Sequence, residues 1–270
     1  TVVLESAFDA GRAAALLASG TVAFASLVPT MLRRVLAVHG GPFPGVQAVL
    51  VGGGPSEPDL LAVARGCGLP VLQTYGMTET ASQVATEHLS EAGQRPGSAG
   101  RPLEGFEVRA VDAEGRALPP GVEGMLEVRG RAVSPGYLAE PPRAEGSWYR
   151  TGDAGRLDTD GYLFVAGRAD AVIVTGGENV HPEEVEAALR ACPGVADVRV
   201  FGEPDPEWGR RVVAQVAPAE GGLDLAALQA AARSRLAPHL LPKRWEVVEA
   251  VDRSELGKPV PPVRDRGLPG

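Results

Sequence analysis

Short apolar runs separated by polar turns set the texture of the first hundred residues. Ala10 to Ser19 reads as a helix by propensity, Thr21 to Leu27 as a short strand, and Pro29 opens a helix through Leu36, because proline suits a first helical turn. Val46 to Val51 is an apolar run that stops at Gly52-Gly53-Gly54-Pro55, the pattern of a buried strand ending in a tight loop. Ser56 stands where it can cap the next helix, Glu57 to Arg65, and Leu69 to Gln73 is a further apolar strand before a Thr74-Tyr75-Gly76 loop. Thr1 to Leu4 is β-rich and begins abruptly, without a cap or a preceding element. Alternation of strand, helix and strand favours an α/β layer with a largely parallel sheet, whose ligands sit at the carboxyl ends of the strands. Both loops fall at that location.

The pattern changes from Gly97 to Gly167 into short alternating strands with turns, including Val108 to Val111, Met125 to Val128 after Pro119-Pro120-Gly121, and a hairpin through Asp160-Gly161. This predicts an antiparallel β module. Beyond it, Ala171 to Val174, Pro182 to Arg190, Val195 to Phe201, Val212 to Ala217, Leu225 to Leu236 and Trp245 to Val248 read as β-α-β-β-α-β. The expected fold is therefore α/β. It has a partial large α/β domain with a mixed sheet and an antiparallel β module over residues 1–168, followed by a small α+β C-terminal domain over 169–270.

Composition narrows the function classes. An apolar fraction of 44% with 22% charged residues suits a folded soluble protein that needs no disulfide staple. A net charge of −8 argues against a nucleic-acid partner, which requires clustered positive charge, but leaves a nucleotide open. Cys67 and Cys192 lack CxxC spacing; one disulfide is arithmetically possible, and two buried, reduced thiols are the commoner reading. With no signal peptide and no apolar run of about 20 residues, the expected location is the cytoplasm, away from any membrane. All but two of the 26 basic residues are arginine, so a reaction that needs lysine has Lys243 and Lys258 to draw on.

Four segments carry candidate chemistry, and each alone also reads as an ordinary turn. Gly52-Gly53-Gly54-Pro55 permits close backbone approach to a ligand. Thr74-Tyr75-Gly76-Met77-Thr78-Glu79-Thr80 combines a ring to stack on a base, a hydroxyl to donate to phosphate and a carboxylate for Mg²⁺. Asp153 in Tyr149-Arg150-Thr151-Gly152-Asp153 can accept both hydroxyls of a ribose. The fourth runs from Gly167-Arg168-Ala169-Asp170 through Thr175-Gly176-Gly177 to the acidic first turn after Pro182, a glycine-rich path from strand to helix.

In this order and spacing, the four segments resemble the core motifs of the adenylate-forming superfamily: acyl-CoA synthetases, nonribosomal-peptide adenylation domains and luciferases. Asp252-Arg253-Ser254-Glu255-Leu256-Gly257-Lys258 resembles the segment that carries the superfamily's catalytic lysine. The resemblance covers essentially the whole chain. It implies an AMP-forming acid–thiol ligase that uses ATP, Mg²⁺ and coenzyme A on a carboxylic acid. Gly53, Gly54, Pro55, Tyr75 and Gly76 would line the adenine pocket, Thr78 would meet phosphate, Glu79 would hold the metal, and Asp153 and Arg168 would bind ribose. Asp170 would be the hinge of a mobile C-terminal cap, Gly177 would lie beside the thiol's tunnel, and Lys258 would bridge the acyl carboxylate and the α-phosphate. Ser26 to Leu32 and Gln73 to Gln83 are most similar to the o-succinylbenzoate–CoA ligases of menaquinone synthesis, with medium-chain or aryl acid ligases as the neighbouring alternative.

Two departures qualify what the resemblance implies. The superfamily's Ser/Thr/Gly-rich phosphate loop, expected ahead of the strand leading to Gly52, is not found, so about half of the large domain is expected to be missing and the chain alone to be a weak or inactive catalyst. The competing expectation is a non-catalytic module that keeps nucleotide or acyl-adenylate binding. Half a doubly wound sheet also leaves apolar edges that invite association with a partner or a second copy. Pro259 follows Lys258 where the superfamily continues into a strand, which bears on how the lysine is held.

Overall fold

The computed structural model describes residues 1–54, 56–138 and 141–251 and divides into two compact units, Thr1–Val165 and Ala166–Gly270. In the first unit, α1 (Ala10–Ala18) begins at Asp9, whose carboxylate accepts the N–H of Arg12 at 2.7 Å. It is followed by β1 (Phe24–Leu27), α2 (Pro29–Val38), β2 (Ala48–Val51), α3 (Pro58–Gly66), β3 (Val71–Met77), β4 (Ser82–Thr86) and β5 (Arg101–Pro102). β1, β2 and β3 pair in parallel, while β4 and β5 extend the sheet antiparallel, giving five strands in sequence order. The mixed sheet follows from local sequence: helices that start on proline return the chain for parallel strands, and a tight turn after Met77 sends it straight back.

Three local expectations are corrected. Tyr75 and Gly76 are strand residues, not loop residues, because β4 takes up their backbone with Ala85 opposite Tyr75 and Gln83 opposite Gly76. Glu57 rather than Ser56 stands at the N-cap of α3, which starts on Pro58 without a side-chain cap. Thr1 to Leu4 forms no strand, and Val2, Val3 and Leu4 are exposed.

The core of this sheet joins Leu17, Leu32, Val35 and Leu61 from the helices to Val49, Val51 and Val71 from β2 and β3. A second sheet contains β6 (Phe106–Val111), β7 (Gly124–Gly130), β8 (Tyr149–Leu157) and β9 (Leu163–Arg168) in that order. A smaller cluster of Ala85, Ala110, Leu126 and Leu163 fastens the two sheets, and Tyr75 packs against it. Two buried carboxylates are enclosed by arginine. Glu87 meets Arg65 at 2.7 Å and accepts the N–H groups of Gln73 at 2.8 Å and Gly93 at 3.0 Å, while Glu127 receives Arg109 and Arg150.

The second unit comprises β10 (Ile173–Thr175), β11 (Glu178–Val180), α4 (Pro182–Arg190), β12 (Val195–Asp205), β13 (Gly209–Pro218), α5 (Leu225–Arg235) and β14 (Arg244–Val247). Its sheet runs β11-β10-β13-β12, with β14 parallel to β13, and the helices pack Val185, Leu189, Leu228 and Ala232 onto it. β11 adds a strand to the expected β-α-β-β-α-β order. Gly176 and Gly177, at φ +59° and +87°, turn the chain back so that Asn179 pairs with Val174, which a three-residue segment with only Val180 apolar does not advertise.

Glu87 is the carboxylate on which the start of β3 depends. Glu87→Ala leaves two amides without their acceptor and Arg65 with the Val71 carbonyl but no counter-charge, and is expected to lower the stability of the first unit by about 3 kcal/mol. Glu87→Gln, which keeps an acceptor for Gln73, is expected to cost less, and urea unfolding followed by circular dichroism measures both.

Candidate functional site

Three of the singled-out segments meet in the first unit, and each is held by a specific local constraint. The Thr151-Gly152-Asp153 segment is a bulge: Met125 faces Ala154 and Glu127 faces Arg150, so Leu126 alone stands opposite three residues of β8. Buried Thr151 donates its hydroxyl to the carbonyl of Leu126 at 3.0 Å and accepts the N–H of Asp153 at 3.0 Å. Gly152 adopts φ +77°, which other residues rarely tolerate. The result aims Asp153 at β3, where the phenol of Tyr75 donates to its carboxylate at 2.6 Å.

Beyond Tyr75 the backbone is tight. A Cβ on Gly76 would lie 1.9 Å from the carbonyl oxygen of Ser82, so only glycine allows β3 and β4 to approach this closely. The short 3₁₀ turn Thr78–Thr80 follows, closed by buried Thr80, whose hydroxyl accepts the N–H of Met77 at 3.2 Å. Ala81 and Ser82 then take positive φ values of 54° and 123°, a strained conformation for non-glycine residues of the kind that collects at functional sites. The turn leaves Thr78 exposed and Glu79 half-buried. The Gly52–Gly54 loop passes beside the residue before Tyr75, since a Cβ on Gly52 would meet the hydroxyl of Thr74 at 2.2 Å. Gly53, at φ +76°, continues that loop.

Glu79 is the carboxylate the sequence assigns to Mg²⁺. Among the described residues no group of three or more His, Cys, Asp or Glu gathers to hold a metal. One carboxylate beside an exposed hydroxyl suits a cation that draws its other oxygens from phosphates and water, so the donors fit Mg²⁺. Tyr137, which the sequence reading passed over, donates its phenol hydrogen to Glu79. An aromatic residue in the polar Ser134-Pro135-Gly136 turn was the available signal.

Arg168, Asp170 and Gly177 belong to the second unit. The guanidinium of Arg168 grips Asp170 two residues on, with Nε to Oδ1 at 3.1 Å and a second contact to Oδ2 at 3.2 Å. The hydrogen bond from Arg168 is the main reason that the Asp170 carboxyl is held below the ordinary aspartate range. The N–H of Gly176 donates to the carbonyl of Trp208 at 3.0 Å, and a Cβ there would strike the indole at 2.8 Å. The Lys243 ammonium lies 3.7 Å from the Trp208 ring centre. Pro55 and Lys258 lie outside the described residues.

Residues 1–138 match the family described as AMP-binding enzyme, and residues 184–258 match the AMP-binding enzyme C-terminal domain. The chain belongs to the AMP-binding enzyme family. It is 37% identical over 262 residues to the 2-succinylbenzoate–CoA ligase of Listeria monocytogenes serotype 4b, covering 95% of this chain and 54% of the relative. A feruloyl-CoA synthase of an Amycolatopsis species is 35% identical over 266 residues, covering 96% of this chain and 54% of the relative. The o-succinylbenzoate CoA synthetase of Bacillus subtilis, solved with its acyl-adenylate intermediate, superposes with a TM-score of 0.87 at 31% identity, over 97% of this chain and 55% of that one. The chain thus spans about half the length of the relatives it matches.

The Arg168–Asp170 contact carries a pH signature. Because the carboxyl is held low, the contact is present above the ordinary aspartate value of about 4 and is lost as pH falls through the lowered one. Carboxyl ¹³C shifts should show Asp170 titrating below the ordinary range, and Arg168→Ala should return it there.

Proposed function

We propose that this chain forms the adenylate-binding and C-terminal part of an AMP-forming carboxylate–CoA ligase, with o-succinylbenzoate as the acid. The observation that carries the reading is the contact between Tyr75 and Asp153, which joins the base-stacking candidate to the ribose-binding candidate. Their separation of 78 positions in sequence makes the meeting a product of the fold rather than of local chemistry. Similarity to o-succinylbenzoate ligases in sequence and structure supports the acid. The similarity to a feruloyl-CoA synthase supports an aryl acid as the alternative.

A carboxylate does not react with a thiol at neutral pH, because its oxygen is a poor leaving group. Transfer to the α-phosphate of ATP, with release of pyrophosphate, makes AMP the leaving group. Thiol attack on the acyl carbon then expels AMP. In the first step two anions must approach, so positive charge is required where they meet. In the proposed assignment Tyr75 offers its ring to adenine beside the Gly52–Gly54 loop, and Asp153 accepts from the ribose hydroxyls. Thr78 donates to phosphate. Mg²⁺, held by Glu79 together with phosphate oxygens, would offset the charge of the triphosphate. Arg168 would complete the ribose contacts, and Lys258 would supply the cation between the acyl carboxylate and the α-phosphate. Residues 1–168 form the large domain and 169–270 the mobile one in this assignment. Asp170 serves as the hinge on which the C-terminal part exchanges Lys258 for the Gly177 turn between the two half-reactions.

Calorimetric titration of the chain with AMP tests the central claim. Asp153→Ala is expected to weaken binding by about a hundredfold or more, the loss of two hydrogen bonds to a charged group. Unchanged affinity would remove the assignment. In a form of the protein that shows ATP–pyrophosphate exchange, Lys258→Ala is expected to abolish that exchange yet spare thioester formation from supplied acyl-AMP. Equal loss of both half-reactions would overturn the two-state scheme.

A further inference from the structure

The long connection between β7 and β8 holds Glu79 at two points. The N–H of Ser134 donates to the Glu79 carbonyl at 2.7 Å, and the phenol of Tyr137 donates to Oε1 of its carboxylate. The connection is itself braced. The N–H of Gly136 donates to the Ser134 hydroxyl at 3.2 Å, while Arg143 donates to the carbonyl of Ser134 at 2.6 Å through its guanidinium and to that of Pro135 at 2.7 Å through its backbone. The Arg143 guanidinium also lies 4.4 Å from the ring centre of Tyr149, the first residue of the strand that carries Asp153. One path of contacts therefore runs from β3 through Glu79, Ser134, Arg143 and β8 back to Tyr75.

From this arrangement we infer that Tyr137 is a positioning residue for Glu79 and sets the affinity of that carboxylate for a hard divalent cation. The inference rests on the reading of Glu79 as the cation ligand. Glutamate reaches its carboxylate through rotatable bonds whose freedom must be lost when a cation binds, and a partner that fixes the group beforehand removes part of that cost. A donor on Oε1 also draws electron density from the carboxylate, which acts against the cation. Tyr137 is 60% exposed, so water would replace the phenol as donor once it was removed, and this second effect would largely persist without it. What the phenol adds over water is direction. The net sign favours tighter cation binding with Tyr137 present.

The test compares the wild-type chain, Tyr137→Phe and Glu79→Gln, using Mn²⁺ titrated by electron paramagnetic resonance in the presence of ATP, and AMP titrated without metal. Tyr137→Phe is expected to weaken Mn²⁺ about tenfold, the low end for loss of a group that orients a metal ligand, with AMP affinity unchanged. Glu79→Gln is expected to lose most Mn²⁺ binding. Mn²⁺ affinity that is unchanged or raised in Tyr137→Phe, beside a defective Glu79→Gln, overturns the inference alone. An equal fall in AMP affinity also overturns it, since the loop would then support the whole site. Normal Mn²⁺ binding by Glu79→Gln, or none by the wild-type chain with ATP, overturns the reading of Glu79 and the inference with it.

Discussion

The hydrogen bond from Tyr75 to Asp153 depends on a defect placed in an otherwise regular sheet. A straight β8 would pair Leu126 with a single residue and bury the intervening side chains in alternation. The two additional residues, held by the Thr151 hydroxyl and by left-handed Gly152, break that alternation where a carboxylate must face the neighbouring sheet. The Ala85–Leu126–Leu163 cluster beneath keeps the sheets close enough for the phenol to reach across. Tyr75 packs against this cluster and has Ala85, one of its members, as its cross-strand partner on β4.

The same economy governs the turn after β3. Gly76 permits the close return of β4, and Thr80 closes the turn from inside with its hydroxyl. The strain at Ala81 and Ser82 is borne by a backbone fixed on both sides. Thr78 and Glu79 thus reach solvent from a frame that has little freedom to adapt. The buried carboxylate of Glu87, held by Arg65 and by the N–H of Gln73, fixes the strand that leads to this frame, because an enclosed carboxylate that lost its partners would be costly to leave in place.

Much of this was legible in the sequence, and the limits follow from range. Gly52–Gly54, Tyr75–Thr80 and Thr151–Asp153 stand out because their chemistry is concentrated in a few adjacent residues. The alternation of runs likewise predicts the α/β layer, the antiparallel module and the α+β unit. Interactions between distant positions leave no such trace. Tyr137 stands out locally only as an aromatic residue in a polar turn, and nothing there indicates that it reaches Glu79, 58 positions away. Two short hairpins escape notice for a different reason: Thr74-Tyr75-Gly76 has the composition of a turn although β4 returns to pair with it, and β11 depends on a glycine turn with only Val180 apolar among its three residues.

The Lys243–Trp208 contact bears on chemical self-protection. An acyl-adenylate of the kind proposed can acylate a free amine as well as a thiol, so a protein that holds one is exposed to its own intermediate. Guanidinium groups stay protonated at neutral pH and are poor acceptors of an acyl group. Here positive charge is supplied almost wholly in that inert form. Of the two side-chain amines, the one at Lys243 rests against an indole face, which narrows the directions from which an electrophile can reach it.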